Sequence, residues 1–293
     1  MKRIALQMAR SVLVVLVALV AFASAVRNSS WVFDDHVLIQ RNADLRRADI
    51  WKHALVSDYY ATSQAYGVSG YYRPVAVWSK ALDVRLWKSQ APGFHITNLI
   101  LHALASLAAM AALRALGAGV GAAWVAALVF AVHPVHAESV AFISGRVDVL
   151  AALGIFAALA AAASRARFAW IGVGVASLFA FLSKESSVML PFLLVLVWRA
   201  SQPQVSSRAR SVQSVSLAPH LIAFGVAAGI ALLLRATAIE GLLPTTAHGA
   251  RTANPFLLPL QSLLFALGAL YAPLRALAVE PDAAHFGWPF RIV

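Results

Sequence analysis

The sequence predicts an all-α protein that crosses a membrane about eight times, and three observations carry that prediction. Hydrophobic residues make up 61% of the 293-residue chain and charged residues only 12%, a balance that a soluble domain could not bury. The apolar residues come in runs that recur along the whole length, at 11–26, 96–113, 120–132, 149–163, 168–182, 188–198, 217–234 and 256–274. Counting alternately through those runs segregates the charges. Lys2, Arg3, Arg114, Arg165, Arg167, Arg199, Arg208 and Arg210 fall on one side, and Asp34, Asp35, Asp44, Asp49, Asp58, Asp83, Glu138, Asp148, Glu185 and Glu240 on the other. Such a bias sets membrane orientation, and it places the basic side in the cytoplasm and the acidic side outside.

The first run follows Lys2, Arg3 and Arg10 and defines segment 1–26 as a first transmembrane helix. The small residues Ala23, Ser24 and Ala25 keep a cleaved signal peptide open as an alternative. Segment 27–94 is the one long polar stretch, and it mixes charges with Trp31, Phe33, Trp51, Tyr59, Tyr60, Tyr66, Tyr71, Tyr72, Trp78 and Trp87. Aromatic rings with a polar tip favour the headgroup level, so this non-cytoplasmic loop reads as short amphipathic helices on the outer surface. Segment 95–275 is the helix bundle. Several of its runs are short for a 30 Å core, so polar groups at their ends are expected to sit below the membrane surface. Residues 202–214 form a polar, Ser-rich linker, and the tail 276–293 has no assignable place. The net charge of +12 raises nucleic acid as a partner, but the basic residues are scattered singly between apolar runs, so no nucleic-acid partner is expected. Without cysteine there is no disulfide framework and no thiolate metal site.

The polar residues at the outer ends of the spans are the site candidates. Asp34 and Asp35 follow the first helix amid aromatics; adjacent carboxylates cannot both stay dry and ionised, and a general base is made this way. His95, Asn98 and His102 share one helical face at i, i+3 and i+7, which should point into the bundle. The richest stretch is 133–148, with His133, His136, Glu138, Arg146 and Asp148. The spacing of His133, His136 and Glu138 invites a metal, yet Pro134 disturbs the helix that would align the imidazoles and a further ligand must come from elsewhere. No metal site is therefore expected, with a divalent ion on that trio as the alternative. A donor network for an anionic ligand, completed by Arg146 and Lys184, fits the residue types better, since Arg offers a fixed fork and Lys a point charge for phosphate. Lys184 and Glu185 join two short spans, where an ion pair and a ligand site are both open. Arg73, beside Tyr71 and Tyr72, suits a lipid headgroup or a substrate phosphate.

Five segments together carry a resemblance: W-V-F-D-D-H at 31–36, Y-Y-R-P-V at 71–75, G-F-H-I-T-N-L-I-L-H-A-L at 93–104, the block 133–153 and S-K-E-S-S-V-M-L-P at 183–191. The chain resembles the transmembrane and tetratricopeptide-repeat-containing proteins, membrane O-mannosyltransferases with a GT-C-type fold, over its amino-terminal membrane part. The resemblance implies transfer of a sugar, mannose in that family, from a polyprenyl-phosphate carrier to a Ser/Thr hydroxyl of a protein acceptor on the non-cytoplasmic face. It implies Asp34 or Asp35 as the general base, and Arg73, His95, His136, Arg146 and Lys184 as holders of the carrier phosphate. The expected partners are then the lipid bilayer, the polyprenyl-phosphate sugar donor and the protein acceptor; the donor sugar is a substrate, and no further cofactor is firmly implied. The family continues into more helices and a repeat tail, which makes a separate repeat-containing partner an open expectation. A non-catalytic carrier-binding or transport protein, and an inactive truncated relative, are the rival readings. The Ala-rich, Cys-free composition suggests a multi-pass protein of a bacterial cytoplasmic membrane with its active face outward, or of the endoplasmic reticulum if the source is eukaryotic.

Overall fold

A computed structural model describes residues 2–63, 69–164, 166–201 and 216–239, which lie in the first of two compact units, Met1–Ala247. The expectations for the eighth span at 256–274, the 202–214 linker, the tail and the charges Arg165, Arg208, Arg210 and Glu240 lie outside the described residues. Those residues form an all-α polytopic membrane protein, with no strand among them. The helices are α1 Lys2–Ala21, α2 Ile50–His53, α3 Pro74–Trp87, α4 Ala91–Ala115, α5 Val120–Val132, α6 Ala137–Ala141, α7 Arg146–Ala162, α8 Ala169–Phe181, α9 Leu190–Ser201 and α10 Ala218–Ala238. By length and composition four can cross a membrane, α1, the stretch ending in α7, α4 and α10, and α5 with the piece after its 47° bend makes a fifth. The shorter α8 and α9 coincide with the runs read from the sequence at 168–182 and 188–198.

The helix ends follow from local chemistry. α1 starts well before its apolar run because Lys, Arg, Leu and Gln in its first turns are good helix formers. Pro92 stands in the first turn of α4, where no N–H is needed, and this lets α4 begin ahead of its apolar run. α5 stops at Val132 because Pro134 cannot continue it, and the chain bends there. The helices pack through small residues. Ala123, Ala127 and Ala131 form a fully buried stripe on α5, and a Cβ at Gly154 of α7 would stand 2.8 Å from that of Ala180 on α8. Without a hydrophobic gain between helices in lipid, such close backbone approach supplies the packing energy.

The segment after α1, expected as short amphipathic helices, turns its apolar residues onto the bundle. It folds into short helical turns that bury Leu38, Ile39, Leu45, Ile50, Tyr59, Tyr72, Val75 and Ala76 in one core with Phe94 of α4, Ile143, Val147 and Leu150 of the α7 region, and Leu182. The cap is thus packed onto one end of the bundle. Its helix α3 is locked there from its first turn, since the Val75 N–H donates to the Leu182 carbonyl at 3.1 Å.

Candidate functional site

At the end covered by the cap, the ends of α1, α4, α7, α8 and α10 bring the acidic residues together with a small set of cations. The chain reaches Asp34 through Phe33, whose φ of 47° is a left-handed conformation that a bulky residue rarely adopts. A π-helical turn, His36–Gln40, follows directly after Asp35. Backbone strain and widened turns of this kind collect at functional positions.

The two carboxylates have different environments. Asp35 is 1% exposed, and its Oδ1 accepts from the Ser144 backbone N–H at 2.9 Å and the Ser144 hydroxyl at 2.6 Å. It ties the cap to the turn that precedes α7. Asp34 is half-buried, and its Oδ2 accepts one hydrogen bond at 2.6 Å from the Tyr60 hydroxyl. Burial, together with that bond to Asp34, pushes the Tyr60 phenol above its ordinary range, which keeps it a donor.

Lys80 of α3 is 1% exposed and donates to the Tyr59 hydroxyl at 2.5 Å, with the Ser144 hydroxyl at 3.4 Å. Burial, followed by the nearby Arg146 charge, pulls its ammonium down to about 7. Burial also raises the Tyr59 phenol, which therefore stays protonated beside it. Arg73 makes two close contacts with Glu185, at 2.8 Å and 3.0 Å, and its guanidinium lies 4.5 Å from the centre of the Tyr71 ring and 5.4 Å from that of Tyr59. Lys184 pairs with Asp148, a contact still open to solvent, with side-chain exposures of 28% and 44%. Glu185 raises the Arg73 guanidinium further although burial opposes it.

Several expectations are corrected by this arrangement. Arg146, expected at the carrier phosphate, is instead 0% exposed, pairs with Asp83 at 2.6 Å, and donates to Asn98 Oδ1, Ser79 Oγ and the Phe94 carbonyl. A fully desolvated guanidinium already paired with a carboxylate has no face left for another anion. Asn98 does not face a ligand either, since its amide N–H group lies 3.1 Å and 3.2 Å from the Val140 and Phe142 carbonyls and ties the loop before α7 to α4. His102 is spent on the Ala131 carbonyl at 3.0 Å, a bond between α4 and α5. His133 and Glu138 are exposed, and His133 Nδ1 accepts from the Val135 N–H at 3.2 Å as the cap of its own turn. The His133 and His136 rings lie 6.3 Å apart between centres, with His136 packed at 4.3 Å from Phe130. Among the described residues no three His, Asp or Glu side chains converge as metal ligands. His95 remains: it is 2% exposed, and both ring nitrogens are buried without a hydrogen-bond partner.

The pairing pattern is a reshuffle of sequence neighbours. Lys184 takes Asp148 instead of the adjacent Glu185, Glu185 takes Arg73, and Arg146 takes Asp83 instead of Asp148. Lys80, Asp83, Ser144 and Arg235 were not singled out from the sequence as site residues. For α3 the signal was present: Lys80 and Asp83 share the stripe of Ala76, Val77, Ala81 and Val84, all of them buried. Arg235 of α10 donates to the Gly70 carbonyl at 2.7 Å and joins the cap to the last described helix.

At this end Asp34 is half-buried on Tyr60, and Arg73 and Lys184 are each paired with one carboxylate, Glu185 and Asp148. A half-buried carboxylate can take a proton, and two cations held by single carboxylates can exchange those partners for a phosphate.

No family model and no solved structure matches the chain. Among curated proteins it is 28% identical over 277 residues to the protein O-mannosyl-transferase Tmtc2 of Drosophila melanogaster, covering 89% of this chain and 28% of that protein. It is 34% identical over 156 residues to human protein O-mannosyl-transferase TMTC4, covering 47% of the chain and 20% of the relative. The mouse protein O-mannosyl-transferase TMTC1 is 39% identical over 126 residues, covering 42% and 13%. The chain therefore spans less than a third of the length of the curated relatives it matches.

Proposed function

We propose, from the premise that this chain is a relative of the transmembrane and tetratricopeptide-repeat O-mannosyl-transferases in their amino-terminal membrane part, that it carries the transfer site of a GT-C-type glycosyltransferase. The donor is a polyprenyl-phosphate-linked sugar, mannose by family, and the acceptor a Ser/Thr hydroxyl of a protein presented outside the cytoplasm. The observation that carries the reading is the contrast between the two carboxylates: Asp35 is spent on Ser144, whereas the half-buried Asp34 carboxylate accepts from the Tyr60 hydroxyl.

In the reaction Asp34 takes the proton of the acceptor hydroxyl as its oxygen attacks the anomeric carbon. The bond from that carbon to the carrier phosphate breaks on the opposite face, and the electron pair leaves with the phosphate. Tyr60 orients the Asp34 carboxylate through its 2.6 Å bond. Arg73 and Lys184 stabilise the leaving phosphate by exchanging Glu185 and Asp148 for it, and preorganised charge of this kind is the main contribution a site makes to such a step. The carrier's isoprenoid chain needs an apolar path. A groove of about 300 Å³ between α8 and α10, walled by Ile171, Val175, Ile222 and Val226, offers one that ends at Leu178 and Ile230, within two turns of Lys184 and Arg235.

The transport reading expects breaks near the middle of the spans, and the 47° bend between Val132 and Pro134 is one such break; the transfer reading is preferred because Asp34, Arg73 and Lys184 all lie at the cap end rather than around that bend. The test is transfer of labelled sugar from a polyprenyl-phosphate donor to a Ser/Thr peptide by membranes containing the chain. Asp34→Asn should lower turnover by about two to four orders of magnitude while carrier binding persists. Asp35→Asn should act through loss of folded protein instead. If Asp34→Asn transfers as fast as the parent, the assignment of the base fails.

A further inference from the structure

At the end of the bundle opposite the cap, α1, α4 and α5 enclose a cleft of about 210 Å³ lined by Gln7, Arg10, Ser11, Arg114 and Trp124. No Asp or Glu lines it. Arg10 is half-buried, and its guanidinium lies 5.9 Å from the centre of the Trp124 ring. The Trp124 indole N–H is buried without a hydrogen-bond partner, and such an orphan donor costs on the order of 1–3 kcal/mol unless something satisfies it. One of the five N–H donors of Arg114 goes to the Ala118 carbonyl, closing the turn between α4 and α5. Two guanidinium groups with no carboxylate between them, a hydroxyl, an amide and an unsatisfied indole donor make a place for an oxyanion carrying a small polar substituent. At about 30 Å³ per water in the liquid, the volume corresponds to about seven waters, enough for such a group. On the same helices Met8, Val12 and Leu16 of α1 and Val125 and Val129 of α5 are exposed apolar residues. The occupant should therefore continue into hydrocarbon.

We propose that this cleft binds the phosphodiester headgroup of an anionic glycerophospholipid, at the end of the protein away from the transfer site. Arg10 and Arg114 hold the phosphate oxygens, Trp124 donates to one of them, Gln7 and Ser11 meet the headgroup hydroxyls, and the acyl chains lie along α1 and α5.

The experiment uses the full chain in detergent micelles, titrated with phosphatidylglycerol or phosphatidylcholine, with lipid adducts read by native mass spectrometry. The parent should favour phosphatidylglycerol by about tenfold or more, on the scale expected for two basic groups near a lipid surface. Arg10→Gln with Arg114→Gln should remove that preference, and Trp124→Phe, which keeps the ring and deletes the donor, should weaken it severalfold. Arg199→Gln, matched to Arg10→Gln alone, removes one charge elsewhere and should leave the preference in place. A parent without preference overturns the proposal. So does an Arg199→Gln effect as large as that of Arg10→Gln, which would mean diffuse attraction. Displacement of phosphatidylglycerol by millimolar inorganic phosphate would assign the cleft to free phosphate and overturn the lipid.

Discussion

Replacing Arg146 by methionine separates a structural role from a ligand role. The substitution keeps a long flexible chain but leaves Asp83, 1% exposed, without its cation, and it strips Asn98 Oδ1, Ser79 and the Phe94 carbonyl of their donors. Removing one partner of a buried pair costs about 3–5 kcal/mol because the other charge is left desolvated. At about 2–4 °C per kcal/mol for a chain of this size, unfolding of the detergent-solubilised protein, followed by tryptophan emission, should come about 6–20 °C lower. Adding Asp83→Met removes the stranded carboxylate, so the double variant should regain much of the loss. A variant that unfolds at the parent's temperature but no longer binds the polyprenyl-phosphate carrier would refute this and make Arg146 a ligand contact after all.

Lys80 predicts a pH dependence. Its folded value of about 7 lies below its ordinary value of 10.5, so between those limits the unfolded chain binds more protons and stability rises with pH. The parent should therefore gain stability from pH 7 to 9 relative to Lys80→Met, and a constant difference across that interval would contradict the burial of a neutral amine. Gly145→Ala should destabilise by about 1–3 kcal/mol, since its Cβ would stand 2.4 Å from the Glu138 carbonyl oxygen; unchanged thermal unfolding would show that the turn can yield. Orientation follows from the two ends of the bundle: in this cysteine-free chain an impermeant thiol reagent applied to intact cells should label Ser57→Cys and spare Ser164→Cys, and the reverse pattern would invert the topology.

The helices were legible because apolar runs and prolines act locally; α5 occupies 120–132 in the sequence reading and Val120–Val132 in the structure. The acidic pair was legible as a pair, but which member is available was not, because Ser144 that occupies Asp35 lies 109 residues away in sequence. The 133–148 stretch looked like one site because its charges are adjacent in the chain. In the structure it divides: His133 and Glu138 face outward, while Arg146 turns inward to a carboxylate on α3. Charge type and spacing do not encode partner choice when every candidate acid lies at the same end of the bundle. α3 reads as a surface helix if its charges are taken at face value, and only the apolar stripe on which Lys80 and Asp83 fall hints that they are covered.

The latches on the cap impose an order on biosynthesis. The cap is made early, yet Arg73 must wait for Glu185, 112 residues later, and Gly70 for Arg235, 165 residues later. Until α7 follows it out of the ribosome, Asp83 has Thr97 of α4 but not its cation Arg146, and Lys80 has Tyr59 but not Ser144. The segment closes fully only once its counter-charges arrive. Closure of the cap is thereby coupled to the arrival of α10, so a nascent chain arrested before α10 would carry Asp34 on a cap without the Arg235 fastening.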